Sequence, residues 1–206
     1  MKKVLAVLIV VVAVAMVAAS VADAAYIANT RHNLASGGTN TVKGNLNEIC
    51  IYCHTPHGGN QAAGQPLWNR NAGSTAGFQP YTSATLSGTP TTGNAASTLC
   101  FSCHDGTTSI NSLINVNGAN YTGTPTYVSG SLNIGGDAAT LTNDHPIGMP
   151  VPATKNGYRT PTALAPYLVT GNVECSTCHA VHGTGIANLL RMDNTGSALC
   201  LDCHDK

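Results

Sequence analysis

Cys50-Ile51-Tyr52-Cys53-His54 is the stretch from which the rest of this chain is read. It recurs as Cys100-Phe101-Ser102-Cys103-His104, Cys175-Ser176-Thr177-Cys178-His179 and Cys200-Leu201-Asp202-Cys203-His204. All 8 cysteines of the 206 residues fall within these pentads. A Cys-x-x-Cys-His pentad reads as a site of c-type haem attachment. Its two thiols add across the porphyrin vinyl groups, and the adjacent imidazole supplies one axial nitrogen to iron. One short helical turn must therefore present two sulfurs and a ring to one porphyrin face.

Other chemistry uses paired cysteines. Eight cysteines in a secreted chain suit four disulfides, and two Cys-x-x-Cys pairs suit a Cys₄ zinc site. Neither explains a histidine directly after all four pairs. A thioredoxin-like redox motif needs one pair only. The expected cofactor is haem c, four copies, covalently bound through Cys50, Cys53, Cys100, Cys103, Cys175, Cys178, Cys200 and Cys203.

Residues 1–24 read as a signal peptide. Lys2 and Lys3 precede an apolar run from Val4 to about Ala19, and Ala22-Asp23-Ala24 offers small residues before the cleavage point. An uncleaved membrane anchor is the alternative, since the run is nearly long enough to span a bilayer. Export agrees with haem c, which is attached outside the cytoplasm. Removal of Lys2, Lys3 and Asp23 from 9 basic and 9 acidic residues leaves 7 and 8, a formal charge of −1. Nothing in that balance tracks a nucleic-acid backbone, so no nucleic-acid partner is expected. A near-zero charge favours association.

Aromatic residues make up 5% of the chain, and Gly, Ser, Thr, Asn and Pro fill tracts such as Gly73 to Asn94 and Asn117 to Gly136. So little apolar side chain supports no conventional core. The expected fold class is mostly coil with few short helices around a haem-organised core. Helix is expected over Leu46 to His54, Ser97 to Cys103, Val173 to Cys178 and Ala198 to His204. Ala163 to Thr170 reads as helix or extended chain, and alternating tracts allow a brief strand.

The chain also repeats itself. His32, the first pentad with His57 three residues on, and a pentad followed by Asp105 are matched by His145, the third pentad with His182, and a pentad followed by Asp205. Two duplicated dihaem modules are expected, over 25–125 and 126–206. Beyond the pentad residues His54, His104, His179 and His204, four histidines remain: His32, His57, His145 and His182. Four irons need four more ligands, so the count closes as all-bis-His, with Met149 and Met192 not required. Residues three apart share one face of a turn, so His57 is not expected to serve the haem of His54. The simplest assignment gives His57 to the haem of Cys100/Cys103 and His182 to that of Cys200/Cys203. His32 and His145 then serve the first and third haems, with exchange between modules or subunits left open. Bis-imidazole ligation holds potentials below those of Met/His ligation and leaves no open coordination position, so no enzyme activity is expected.

The pentads with trailing His and Gly, Arg31-His32-Asn33-Leu34, Asp144-His145-Pro146 and the terminal Cys200-Leu201-Asp202-Cys203-His204-Asp205-Lys206 resemble the paired-CxxCH multihaem c-type cytochromes. Within these the chain is similar to the tetrahaem extracellular filament-forming cytochromes of metal-reducing bacteria, the OmcE type. The resemblance implies electron transport along a continuous chain of haems in a secreted, head-to-tail homopolymer. It implies other multihaem cytochromes, minerals or electrodes as partners, and one axial histidine donated between subunits, for which His32 on the N-terminal arm is the expected residue. The alternatives are a soluble periplasmic electron shuttle and the haem subunit of a redox enzyme.

Overall fold

A computed structural model of the chain describes residues 27–61, 67–71, 73, 77–134 and 140–205. The expected signal peptide lies outside the described residues. Coil and turn dominate. Three α-helices lie wholly within the described residues, α1 Ala95–His104, α2 Cys175–Cys178 and α3 Ala198–Leu201, with several single 3₁₀ turns. Four short strands form two antiparallel pairs: β1 Ser112–Val116 with β2 Ala119–Thr122, and β3 Met149–Pro150 with β4 Asn172–Val173. Among the described residues no helix is long and apolar enough to cross a membrane.

Each helix carries pentad residues. The Asn94 side chain caps α1 by accepting from the Ala96 N–H at 2.8 Å. Gly106, with φ +72°, stops it just past the Asp105 cap. The helix expected over Leu46 to His54 is only a 3₁₀ turn, Cys50–Tyr52. The Tyr52 hydroxyl accepts from the Leu46 N–H at 2.7 Å and donates to the Leu46 carbonyl at 2.9 Å, so that backbone is taken up by a side chain. Val173 likewise pairs in β4 instead of extending α2, and Ala165–Tyr167 is a 3₁₀ turn.

The β1–β2 hairpin turns at Asn117-Gly118, both at positive φ (54° and 86°), the pattern that matches strand twist in two-residue hairpins. Leu113 pairs with Tyr121 across it. This hairpin ends in the Gly-, Thr- and Asn-rich tract after Asn117, and it builds a small protein core that the composition did not suggest. Leu34, Tyr52, Ile110, Leu113 and Val128 pack together, with Leu46, Ile51 and Cys103 against them. The first and second pentads thus contribute side chains to one apolar cluster.

Candidate haem sites

All four pentads take the same local form. The histidine N–H returns to the carbonyl of the first cysteine in three of them: His54 to Cys50 (2.8 Å), His179 to Cys175 (3.1 Å) and His204 to Cys200 (2.9 Å). The second pentad lies wholly within α1. One turn of this kind sets positions i, i+3 and i+4 on one face, which is where the thiols and imidazole must be. All eight cysteines are free thiols. Among the described residues, no three His, Cys, Asp or Glu side chains gather as a zinc site requires.

The first and third pentads are held alike. Thr55 N donates to Leu67 O (2.8 Å) and Asn69 N to Cys53 O (2.8 Å); Ala180 N donates to Leu189 O (2.7 Å) and Arg191 N to Cys178 O (2.9 Å). Leu67 and Leu189 both take positive φ, 63° and 58°. Asn69 Nδ2 donates to Ile51 O at 2.7 Å, and Arg191 Nε donates to Ser176 O at 2.6 Å. Different side chains thus brace the same carbonyl, the one after the first cysteine.

Six of the eight imidazoles stand opposite one another in pairs. His32 faces His104 with ring centres 6.2 Å apart, His54 faces His182 at 6.1 Å, and His145 faces His204 at 6.2 Å. Each pair joins one pentad histidine to one of the four others, and none is used twice. A metal–imidazole bond is about 2.0–2.1 Å, so two in line, plus about 1.1 Å from nitrogen to each ring centre, give about 6.2–6.4 Å. The observed spacing therefore suits one iron between each pair. The pairing differs from the sequence expectation. His32 faces His104 and not His54, His182 faces His54 and not His204, and His145 faces His204 and not His179. The reason is topological. The turn after the third pentad carries His182 back to the first, and the N-terminal segment passes the second. Among the described residues, no ring contact joins the remaining two, His57 and His179. Both are exposed.

Backbone carbonyls orient several rings. His104 Nδ1 lies 2.6 Å from Leu132 O, His145 Nδ1 2.8 Å from Pro146 O, and His179 Nδ1 3.0 Å from Asn188 O. A carbonyl only accepts, so Nδ1 carries the proton and Nε2 keeps its lone pair for a metal. Burial, then repulsion from His104, lowers the pKa of His32. Among the described residues three buried polar atoms lack a partner, Asn133 Oδ1, Asp144 Oδ2 and the indole N–H of Trp68, whose ring packs edge-on against His54. A porphyrin propionate is an acceptor suited to that N–H.

The thiols trace a path in sequence order. Burial, then Cys103, pushes the Cys53 thiol up to about 12, with Arg70 opposing. Cys100 shares a hydrogen bond with Cys175, which raises the first thiol and lowers the second. Burial, then Cys203 and Cys200, pushes Cys178 up to about 11. The contact between the second and third pentads is polar and buried. Glu174, 1% exposed, accepts from Asn94 N at 3.2 and 3.3 Å and from the Ser97 hydroxyl, and Ser97 Oγ accepts from Cys175 N at 3.2 Å. A carboxylate at the start of α1 also suits the helix dipole. Nothing in the pentad pattern flagged Glu174, Asn69 or Arg70.

The family described as "Doubled CXXCH motif" matches residues 168–206, which hold the third and fourth pentads. No curated protein matches the chain. That family match supports a multihaem c-type cytochrome-like region over residues 168–206, and its CXXCH motifs imply covalently bound haem c.

Proposed function

We propose that this chain is a secreted tetrahaem cytochrome whose four haems, all bis-His, carry electrons along an extracellular homopolymer. The observation that carries this reading is the set of three imidazole pairs spaced for iron. Haem supplies one-electron exchange between ferric and ferrous iron. The protein's residues do the rest. Cysteine pairs fix each porphyrin to its turn. The paired imidazoles would hold the iron and exclude water and substrate from it, so that the chain would conduct and not catalyse. The carbonyls of Leu132, Pro146 and Asn188 hold ring orientation, so little rearranges when charge moves.

His57 and His179 support the polymer. One is a spare histidine, the other a pentad histidine, and both are exposed. In this reading His57 of one copy completes the third haem, at His179, of the next. His32, expected from the sequence to cross between copies, faces His104 within its own chain. A head-to-tail contact that does not close makes a fibre. The two dihaem modules of the repeat remain as units of sequence, but in this reading their ligands interleave.

Secreted protein purified from a haem c-competent host tests this. Four haems per chain by pyridine haemochrome, uniformly low-spin iron and filaments by negative-stain microscopy are expected. Four haems in monodisperse particles, one of them high spin, point instead to a soluble periplasmic shuttle with one site left open. No haem ends the cytochrome reading.

A further inference from the structure

Arg70 is the one arginine of four that is fully enclosed, at 1% exposure. Arg31 is exposed, Arg159 pairs with Asp205 at the surface, and half-buried Arg191 stacks 3.8 Å over the Tyr167 ring. Among the described residues the Arg70 guanidinium donates only to carbonyls: Nε and Nη2 to Ser102 O (3.2 and 2.8 Å), Nη2 to Ser109 O (2.7 Å) and Nη1 to Ile110 O (2.8 Å). Among the described residues no carboxylate pairs with it. Carbonyl dipoles solvate the charge without cancelling it. Ser102 lies inside the second pentad, and the neighbouring Asn69 is bonded to Cys53 and Ile51 of the first. A full positive charge is thus fixed between the first two attachment sites.

The fourth site carries the opposite sign. Asp202, inside that pentad, accepts from the N–H groups of Thr162, Ala163 and Leu164 and from the Thr162 hydroxyl, bonds that favour its ionised form. The second site also has Asp105 beside it, held by Thr107 and Thr108. The first site has Arg70, and the carboxylate near that site, Glu48, is exposed to water and not enclosed as Arg70 is.

We infer that Arg70 is a redox-positioning residue that holds the first haem site at the highest potential of the four, so that electrons settle toward the His54 end and away from the Asp202 end. The inference rests on the cytochrome reading above. Reduction removes one positive charge from iron, so a fixed cation in a poorly screened interior favours the ferrous state.

The test is potentiometric titration of the purified holoprotein, read at the haem absorbance, for wild type, Arg70→Met, Arg70→Lys and Ser109→Asp. Arg70→Met should lower the highest-potential step, by about 59 mV for a tenfold change in the one-electron equilibrium. Arg70→Lys should lie close to wild type. Ser109→Asp keeps Arg70 and adds a negative charge on a residue whose carbonyl Arg70 binds, so it should shift the same step downward. Full haem content with an unchanged curve in Arg70→Met overturns the inference, as does a shift in Arg70→Lys equal to that in Arg70→Met. If Arg70→Met fails to mature, an unchanged curve in Ser109→Asp overturns it. Absence of haem in the wild type sinks the cytochrome reading instead.

Discussion

Individual imidazoles give the sharpest tests. His145 faces His204 at 6.2 Å, so His145→Ala should turn only the haem on Cys200 and Cys203 high spin, read by electron paramagnetic resonance. Four low-spin irons in that variant would refute the pairing. Glu174 makes a structural prediction. Its carboxylate satisfies the Asn94 N–H and the Ser97 hydroxyl in a buried contact. Glu174→Ala strands both and should cost about 1–3 kcal/mol, seen as a lower melting temperature of the holoprotein. The histidine inventory was plain in the sequence because each residue type announces its chemistry. The partners were not. The i, i+3 argument for His54 and His57 describes one turn, whereas the ring facing His54 comes from residue 182. Arg70 was hidden for the same reason: its acceptors lie 32 to 40 residues away and have no motif.

Among the elements, two glycines separate backbone strain from crowding. Gly118 turns the β1–β2 hairpin at φ +86° with open space where a Cβ would stand. Gly118→Ala should therefore cost about 1–2 kcal/mol through backbone conformation alone. Gly73 lies where a Cβ would collide with the Phe101–Ser102 backbone of the second pentad. Gly73→Ala should cost about 1–3 kcal/mol by overpacking and should also reduce haem loading, since α1 carries the thiols; Gly118→Ala should leave loading intact. Haem per chain and melting temperature, measured together, distinguish them. Asn117-Gly118 was a legible hairpin signal within a tract whose composition pointed only to a brief strand. The first pentad, read as helix, is shorter because Tyr52 binds the Leu46 backbone, a choice that local propensity does not foresee.

For the molecule as a whole, His57 and His32 make opposite predictions. If His57 completes the third haem of a neighbouring copy, His57→Ala should abolish filaments in negative-stain micrographs and leave one haem per chain high spin. His32→Ala should disturb the second haem, at His104, while filaments still form. The reverse outcome would restore the N-terminal arm as the link. The sequence suggested a repeat, and the braces around Cys53 and Cys178 match one another. The structure does not keep each half's histidines to itself, because His182, from the second half, faces His54 in the first. Severing the chain at its repeat boundary would thus not release two small working cytochromes. On the proposed tetrahaem reading, a fragment ending at residue 125 would carry an iron missing one of its two imidazoles, and a nicked pair should stay joined both through that iron and through the buried contact of Glu174 with Asn94 and Ser97.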